Sequence, residues 1–187
     1  MSSPAKLRKA NRLIGRALVF RNAQPEDAEL IVALRTDTRI AKYLSVTSAE
    51  IAKQIDWLKQ YAGGEDQAYF IIEANDGEKL GTVRLYDPQG DSFCWGSWIL
   101  KEGAPQSAAI ESALMVYSYA IDCLGFKNAH FDVRKENEHV WRFHERLGAV
   151  RVAEKEHDFI YKISGESIAA SRQRYKKYLS DAVKVEM

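Results

Sequence analysis

The feature that most constrains the fold is a strand, a loop, a helix, a second strand and a second helix in direct succession. The sequence predicts these elements over residues 93–100, 101–107, 108–124, 129–134 and 137–148. Gly125 follows the long helix and ends it, because glycine readily adopts the left-handed backbone conformation found after a helix. This succession indicates a sheet with helices packed on it.

The rest of the chain continues an α+β pattern. Hydrophobic periodicity and turn residues predict strands over residues 17–20, 69–73, 80–86, 149–153 and 159–163. Asn75-Asp76-Gly77 predicts a hairpin, since these residue types adopt the backbone angles of a tight turn. Helices are predicted to begin at Pro25 and after Glu50, and the segment from Gly165 to the C-terminus is predicted to be helical.

Composition and charge exclude several classes of protein. At 187 residues the chain suits one domain, predicted over residues 16–187, with a basic N-terminal extension over residues 1–15. A net charge of +1 argues against bulk electrostatic binding to nucleic acid. No apolar run is long enough to cross a membrane, and two cysteines without metal-ligand spacing predict a cytoplasmic protein without a metal site.

Motifs along nearly the whole chain carry a resemblance to a known family. They are the segment from Arg21 to Ala28, the strand Gly96-Ser97-Trp98-Ile99-Leu100, the helix entry Glu111-Ser112-Ala113-Leu114, and Asn137 with Leu147-Gly148. In these motifs the chain resembles the GNAT superfamily, in the branch with ribosomal-protein N-terminal and amino-sugar acetyltransferases. The resemblance implies a mixed, twisted sheet of about seven strands, flanked by helices and splayed between its fourth and fifth strands, residues 94–100 and 130–134.

The resemblance also implies a binding site for acetyl-CoA. In the family the pantetheine arm runs along the splayed strand, here at Ile99 and Leu100, and Asn137 is a candidate for a further contact as well as the cap of its helix. A helix start attracts an anion because its amide groups are free and its dipole is positive there. The family pattern therefore places the pyrophosphate at Gln106, Ser107, Ala108 and Ala109.

The pyrophosphate loop departs from the family pattern. Ala104 lacks the usual side-chain donor, Pro105 lacks an amide hydrogen, and Ser107 replaces a glycine. We expect binding to be retained, because backbone donors carry much of the recognition of a phosphate. A loop that has lost CoA binding and only caps a helix is the alternative.

Acetyl transfer also requires proton transfer, because the acceptor ammonium must lose a proton and the departing thiolate must gain one. The family's tyrosine acid aligns with His144, which implies that the imidazole protonates the thiolate. The alternative for His144 is a helix-surface histidine in an ion-paired patch. Asp132 lies on a strand beside the site and is predicted to reach the substrate or a catalytic water. Cys94 stands where the family often has a glutamate, and we predict a small core residue there.

Two further side chains are candidates for substrate binding. Arg84 lies mid-strand among apolar neighbours, where a cation needs a partner, and a salt bridge is the alternative interpretation. Trp98 is a candidate for the wall of the acceptor pocket. The alternative interpretation is that Trp98 belongs to the hydrophobic core, which is the more common location for an aromatic residue in such elements.

These residues together predict a cytoplasmic N-acyltransferase that moves an acetyl group from acetyl-CoA to a primary amine. A small amine, such as an amino sugar on a nucleotide carrier, is favoured as acceptor over a protein N-terminus. Neither a nucleic acid nor a membrane is an expected partner, and a homodimer is left open. The alternative is a degenerate GNAT domain that binds acyl-CoA or a partner without turnover.

Overall fold

The computed structural model describes residues 4–187 as an open sheet of nine strands with five α-helices. The strands are β1 (Arg12–Ile14), β2 (Leu18–Asn22), β3 (Ala68–Ala74), β4 (Lys79–Gln89), β5 (Ser92–Leu100), β6 (Asn128–Arg134), β7 (Val150–Glu154), β8 (Asp158–Ile163) and β9 (Lys184–Glu186). The helices are α1 (Ala28–Thr36), α2 (Ile51–Gly63), α3 (Gln106–Ser118), α4 (Glu138–Arg146) and α5 (Gly165–Arg174). The predicted α+β domain is confirmed.

The sheet is mixed, as the resemblance implied. Its strand order is β7-β8-β6-β5-β4-β3-β2-β1-β9. β5 and β6 run parallel, and the other neighbouring pairs within residues 4–187 run antiparallel. The predicted hairpin joins β3 to β4, and the predicted long helix is present as α3 followed by a π-helical turn, Tyr119–Cys123. β5 and β6 therefore lie next to each other in the middle of the sheet, joined by α3.

Two three-residue strands extend the sheet beyond the seven strands predicted. β1 pairs with β2 on one side and with β9 on the other. The segment predicted as a basic extension, of which residues 1–3 lie outside the described residues, contributes β1, and it buries Leu7, Ala10 and Leu13 in the core. The prediction of a helix up to the C-terminus is wrong, because α5 ends at Arg174 and β9 follows. A strand of three residues is too short to show a hydrophobic period.

The sheet separates two cores, because successive side chains of a strand point to opposite faces. On one face Phe93 and Trp95 of β5 contact Tyr117 of α3, with ring centroids 6.4 and 5.7 Å apart. On the other face Tyr69 of β3 contacts Tyr61 of α2, with ring centroids 6.4 Å apart. None of the helices within residues 4–187 is long and apolar enough to cross a lipid bilayer.

A buried carboxylate connects α3 to the start of the sheet. Glu111 is 2% exposed, and its Oε1 accepts hydrogen bonds from the amides of Arg16, Ala17 and Leu18 at 2.7, 2.7 and 3.1 Å. The amides of Arg16 and Ala17 lie in the connection between β1 and β2, and Leu18 is the first residue of β2. Glu111 thus fixes the position of α3, and with it the start of that helix, which the family resemblance assigns to the pyrophosphate.

Candidate active site

The candidate site is a gap between the two parallel strands. β5 and β6 pair only at Ser92, Phe93 and Cys94, opposite residues 128–130. Beyond that point β5 stays paired with β4 as far as Leu100, and β6 stays paired with β8 as far as Arg134. The strands therefore splay apart as predicted, and the facing backbone groups of residues 95–100 have no strand to pair with.

A bulge in β5 opens the gap. Thr82 of β4 pairs with Ile99, whereas Arg84 pairs with Gly96, so β5 carries one extra residue between these pairs. Ser97 lies within the bulge at a φ of 46°, a left-handed conformation that is uncommon for serine. The Thr82 hydroxyl holds this conformation by donating a hydrogen bond of 2.8 Å to the Ser97 carbonyl. Residues 96–98, which form the bulge, all border the gap.

Four adjoining cavities run through the gap from the start of α3 to α2. The outer cavity is lined mainly by Leu100, Gln106, Ser107, Ala109, Phe143 and Arg146. The channel is lined mainly by Tyr43, Trp98, Ile99, Leu100, Asn137 and Val140. The central cavity is lined mainly by Arg84, Gly96, Trp98, Phe131, Asp132 and His144. The arginine cavity is lined mainly by Arg35, Ser45, Thr47, Trp57, Arg84 and Ser97.

Neighbouring cavities share walls, so together they form one path. Leu100 borders both the outer cavity and the channel, and Trp98 borders both the channel and the central cavity. Arg84 borders both the central cavity and the arginine cavity. Because Arg84 alternates with buried Val83 and Leu85, it points to the face opposite α3. The path therefore crosses the sheet from one face to the other.

The outer cavity and the channel contain most of the predicted cofactor residues. α3 begins at Gln106 after Pro105, which provides no side-chain cap, so the first amides of the helix have no partner four residues earlier. Ala108 lies outside the cavity, because it is 1% exposed and its amide donates to the Pro105 carbonyl at 2.9 Å. The free amides at Gln106 and Ser107 and the unpaired edge at Leu100 fit a pyrophosphate and a pantetheine arm.

Asn137 occupies the N-cap position of α4, as predicted, but its side chain makes no capping hydrogen bond. Its backbone carbonyl accepts from the amides of Val140 and Trp141 at 3.1 and 3.2 Å. The backbone at this position has φ −84° and ψ 61°, away from the extended conformation in which a capping side chain reaches the helix amides. The Asn137 amide group therefore remains available to the channel and the central cavity, which it borders.

Aromatic rings form the wall of the central cavity around His144. The imidazole lies 4.2 Å from the Phe131 ring and 5.2 Å from the Trp95 ring, measured between centroids, and the residue is 5% exposed. The buried Nδ1 atom has no hydrogen-bond partner among residues 4–187. Burial lowers the pKa of His144 to about 3, so its imidazole is uncharged at neutral pH. The interpretation of His144 as a helix-surface residue in an ion-paired patch is wrong.

Stability is expected to fall in acid because of His144. Below pH 6.5 the unfolded chain binds a proton at this residue, whereas the folded chain stays unprotonated until about pH 3. The free energy of unfolding should therefore decrease as the pH falls from 6.5 towards 3, by about 2 kcal/mol between pH 7 and pH 5. Urea unfolding at these two pH values measures the effect. His144→Phe should have a smaller pH dependence than the unmodified chain, and equal dependences would refute this origin.

Two groups that could accept a proton differ sharply in their surroundings. Cys94 is 4% exposed, and burial raises the pKa of its thiol to about 11, so it is a protonated core residue at neutral pH. Asp132 is exposed and borders the central cavity. No salt bridge engages Asp132 within the described part of the chain. Asp132 is thus the free carboxylate at the gap.

Arg84 and Trp98 both border the central cavity, as the prediction of a substrate site required. The Trp98 indole donates to the Ser112 hydroxyl at 3.1 Å and packs on Phe143, so it belongs to the core and to the cavity wall at once. Arg84 has no salt bridge within residues 4–187, which overturns the interpretation as an ion-paired cation.

In the described residues no group of three His, Cys, Asp or Glu side chains could hold a metal ion.

Arg35 is a site residue that the sequence analysis did not identify. It lies in α1 and borders both the central cavity and the arginine cavity. Its guanidinium donates to the hydroxyls of Thr47, Ser97 and Ser45, at 2.5, 3.2 and 2.8 Å. Ser45 and Thr47 belong to the loop that follows α1, 10 and 12 residues along the chain, and Ser97 belongs to β5, 62 residues away. The available signal was an arginine next to a helix end, which is too common to single out.

Comparisons with known proteins agree with this geometry. A family model described as an acetyltransferase (GNAT) domain matches residues 17–150. A solved structure described as apo FdhC, a nucleotide-linked sugar GNAT, is 36% identical to the chain. Its TM-score is 0.79, and the match covers 94% of this chain and 99% of that one. The search of curated proteins gave no match.

More distant solved structures share the fold. A spermidine N-acetyltransferase from Vibrio cholerae, in complex with CoA and spermine, is 16% identical, with a TM-score of 0.69 and coverage of 82% of this chain and 98% of that one. A GCN5-related N-acetyltransferase from Brucella melitensis is 18% identical, with a TM-score of 0.74 and coverage of 94% and 88%. These two likenesses concern the fold alone.

Proposed function

The chain belongs to the GNAT acetyltransferase family, and on that premise we propose that it transfers an acetyl group from acetyl-CoA to the amino group of a nucleotide-linked amino sugar. One observation carries the proposal. The path through the sheet joins an uncapped helix start on one face to a cavity with two arginines on the other face. A thioester and an anionic acceptor can therefore meet from opposite sides.

The cofactor part of the proposal uses backbone groups more than side chains. Gln106, Ser107 and Ala109 would hold the pyrophosphate at the start of α3, where free amides and the helix dipole favour an anion. Ile99 and Leu100 would lie along the pantetheine arm, and Asn137 would contact it from the opposite wall of the channel. Bound acetyl-CoA supplies the reactive thioester.

The reaction would take place in the central cavity. Asp132 would accept a proton from the acceptor ammonium, directly or through a water, which frees the nitrogen lone pair to attack the thioester carbon. An amide bond forms as the carbon–sulfur bond breaks, and the departing thiolate takes up the second proton that the attacking nitrogen loses, directly or through a water. An imidazole with a pKa of about 3 is no proton source at neutral pH, so we assign His144 a hydrogen bond to the departing sulfur.

The acceptor part of the proposal rests on charge. Arg35 and Arg84 would repel a polyamine, whose charges are all positive, and would attract an acceptor that carries phosphate. The 36% identical structure is described as a nucleotide-linked sugar GNAT, which supports the same class. A protein N-terminus brings no comparable negative charge.

A domain that binds acyl-CoA without turnover is the second candidate. Pro105 at the helix start and Cys94 in place of a carboxylate favour it, since both differ from the family pattern. The free carboxylate of Asp132 at the gap favours the enzyme. Turnover separates the two.

Release of the CoA thiol tests the proposed function. The full chain is incubated with acetyl-CoA and one of four acceptors: UDP- and dTDP-linked amino sugars, the same sugars without the nucleotide, spermidine, or a peptide with a free N-terminus. We expect kcat/KM to be highest for a nucleotide-linked sugar. Faster turnover of spermidine or peptide would overturn the proposed acceptor, and no turnover of any amine would favour the binding domain.

The proposed role of the helix amides is tested at one position. Gln106→Pro removes an amide donor at the first residue of α3, where proline is compatible with a helix. We expect CoA to bind about tenfold more weakly, the range for a lost hydrogen bond to a charged group. Gln106→Ala keeps the amide and should change the affinity by less than about threefold. Calorimetry measures both, and equal affinities for the two variants would contradict recognition by the backbone.

A further inference from the structure

We propose that Arg35 and Arg84 form a subsite for the diphosphate of a nucleoside-diphosphate-linked acceptor, an inference that rests on the proposed function. The subsite lies in the arginine cavity, which encloses about 310 Å³ on the sheet face opposite α3. It is separate from the start of α3, where the pyrophosphate of CoA is expected. The chain would therefore hold two diphosphates, one on each side of the gap.

Arg84 has the properties of a ligand-binding cation. Its guanidinium stacks on the Tyr86 ring at 4.3 Å from the centroid and lies 5.8 Å from the Trp57 ring. Its buried Nε has no hydrogen-bond partner within residues 4–187. A buried donor without a partner is costly and therefore needs an explanation, and a bound group beside it is one that fits a ligand site. The aromatic faces hold the guanidinium in place where the arginine cavity and the central cavity meet.

Arg35 supplies a second, preorganised guanidinium. Hydrogen bonds to the hydroxyls of Ser45, Thr47 and Ser97 and to the Ser45 carbonyl orient it, and none of these acceptors neutralises its charge. Because these hydrogen bonds occupy most of its N–H groups, Arg35 would act on a phosphate mainly through its positive charge. The third cation of the cavity, Lys53, already pairs with Glu50 at 2.7 Å. Arg35 and Arg84 are thus the charges available to a ligand.

The lining of the arginine cavity selects for an anion. Considering residues 4–187, no Asp or Glu borders it. A further cavity, which shares Tyr86 and Asp132 with the central cavity, is bordered by Asp87, Asp91 and Asp132 together with Lys155 and Lys162. A diphosphate would meet three carboxylates there and none among the described residues that border the arginine cavity. The charge distribution therefore directs the phosphates to the arginine cavity.

The position of the subsite suits the reaction. Arg35, Arg84 and Ser97 border both the arginine cavity and the central cavity, where Asp132 lies. A diphosphate held by the two guanidiniums would place the attached sugar at the gap, next to the bulge of β5. The subsite would thus bind the carrier and orient the amino group in one step.

Binding of UDP and dTDP, measured by calorimetry with CoA present at saturation, tests the subsite. We expect both nucleotides to bind alongside CoA. Arg84→Gln and Arg35→Gln should each weaken this binding about tenfold or more, the range for a lost charge-assisted hydrogen bond. The affinity for CoA should not change. Arg84→Lys should recover part of the loss, because it restores the charge without the planar fork.

Arg142→Gln is the matched control, since Arg142 is exposed on α4, pairs with Glu138 and borders none of the four cavities. Unchanged nucleotide affinity in both cavity variants would overturn the subsite, and so would displacement of the nucleotides by CoA. The proposed function and the subsite can fail independently of each other. If a nucleotide-linked sugar is acetylated with an unchanged KM in both variants, the function stands and the subsite falls. Arginine-dependent binding without turnover would leave the subsite standing and refute the function.

Discussion

Replacing Asp132 with asparagine is expected to lower kcat by about a hundredfold or more, the usual contribution of a general base. Asparagine has nearly the same shape but cannot accept the proton of an ammonium group. Asp132 is the free carboxylate that borders the central cavity, and the other carboxylate there, Asp158, already pairs with Arg134 at 3.5 Å. Steady-state kinetics with the best acceptor of the panel measures the loss.

The affinity of the Asp132→Asn variant for CoA should stay unchanged, because the channel does not include this residue. Asp56→Asn is a suitable control, since it removes the same charge from an exposed position on α2. A rate equal to that of the unmodified chain would show that Asp132 takes no part in proton transfer. The proton would then leave directly to water.

Replacing Glu111 with alanine is expected to destabilise the fold by about 3 to 5 kcal/mol, because three amides lose a charged acceptor at once and a buried cavity is created. All three amides donate to the same oxygen, Oε1, and the site is almost fully buried. Water can therefore not easily take the place of the carboxylate. Urea unfolding at neutral pH measures the change in the free energy of unfolding.

Glu111→Gln provides a graded comparison at the same position. Its amide oxygen can still accept from the three amides, although without the negative charge, so the loss should be clearly smaller, about 1 to 2 kcal/mol. Because Glu111 positions the start of α3, the alanine variant should also bind CoA more weakly. An alanine variant as stable as the unmodified chain would show that these hydrogen bonds contribute little.

Local sequence signals were sufficient to predict the tight turns and the ends of helices. The hairpin at Asn75-Asp76-Gly77 follows from residues that accept a tight turn, and Gly77 has a φ of 88° there. The long helix ends before Gly125, which has a φ of 81°. The order of these elements carried the family resemblance, and that resemblance placed Ile99 and Leu100 beside a gap in the sheet.

The remaining features depend on contacts between distant segments. The uncharged state of His144 results from packing against Phe131 and Trp95, which come from two other elements, so helical spacing could not reveal it. Arg35 becomes a site residue only because the loop with Thr47 and the bulge at Ser97 fold against α1. The free Nε of Arg84 likewise appears only once its strand neighbours are known.

The measurement that tests the central claim most directly is a structure of the protein with CoA and a nucleotide-linked amino sugar bound together. The account predicts CoA in the outer cavity and the channel, and the diphosphate of the acceptor beside Arg35 and Arg84. The CoA sulfur and the amino nitrogen should then meet in the central cavity, near Asp132 and His144. A complex with both molecules on one face of the sheet, or with the amino group outside the central cavity, would contradict the account.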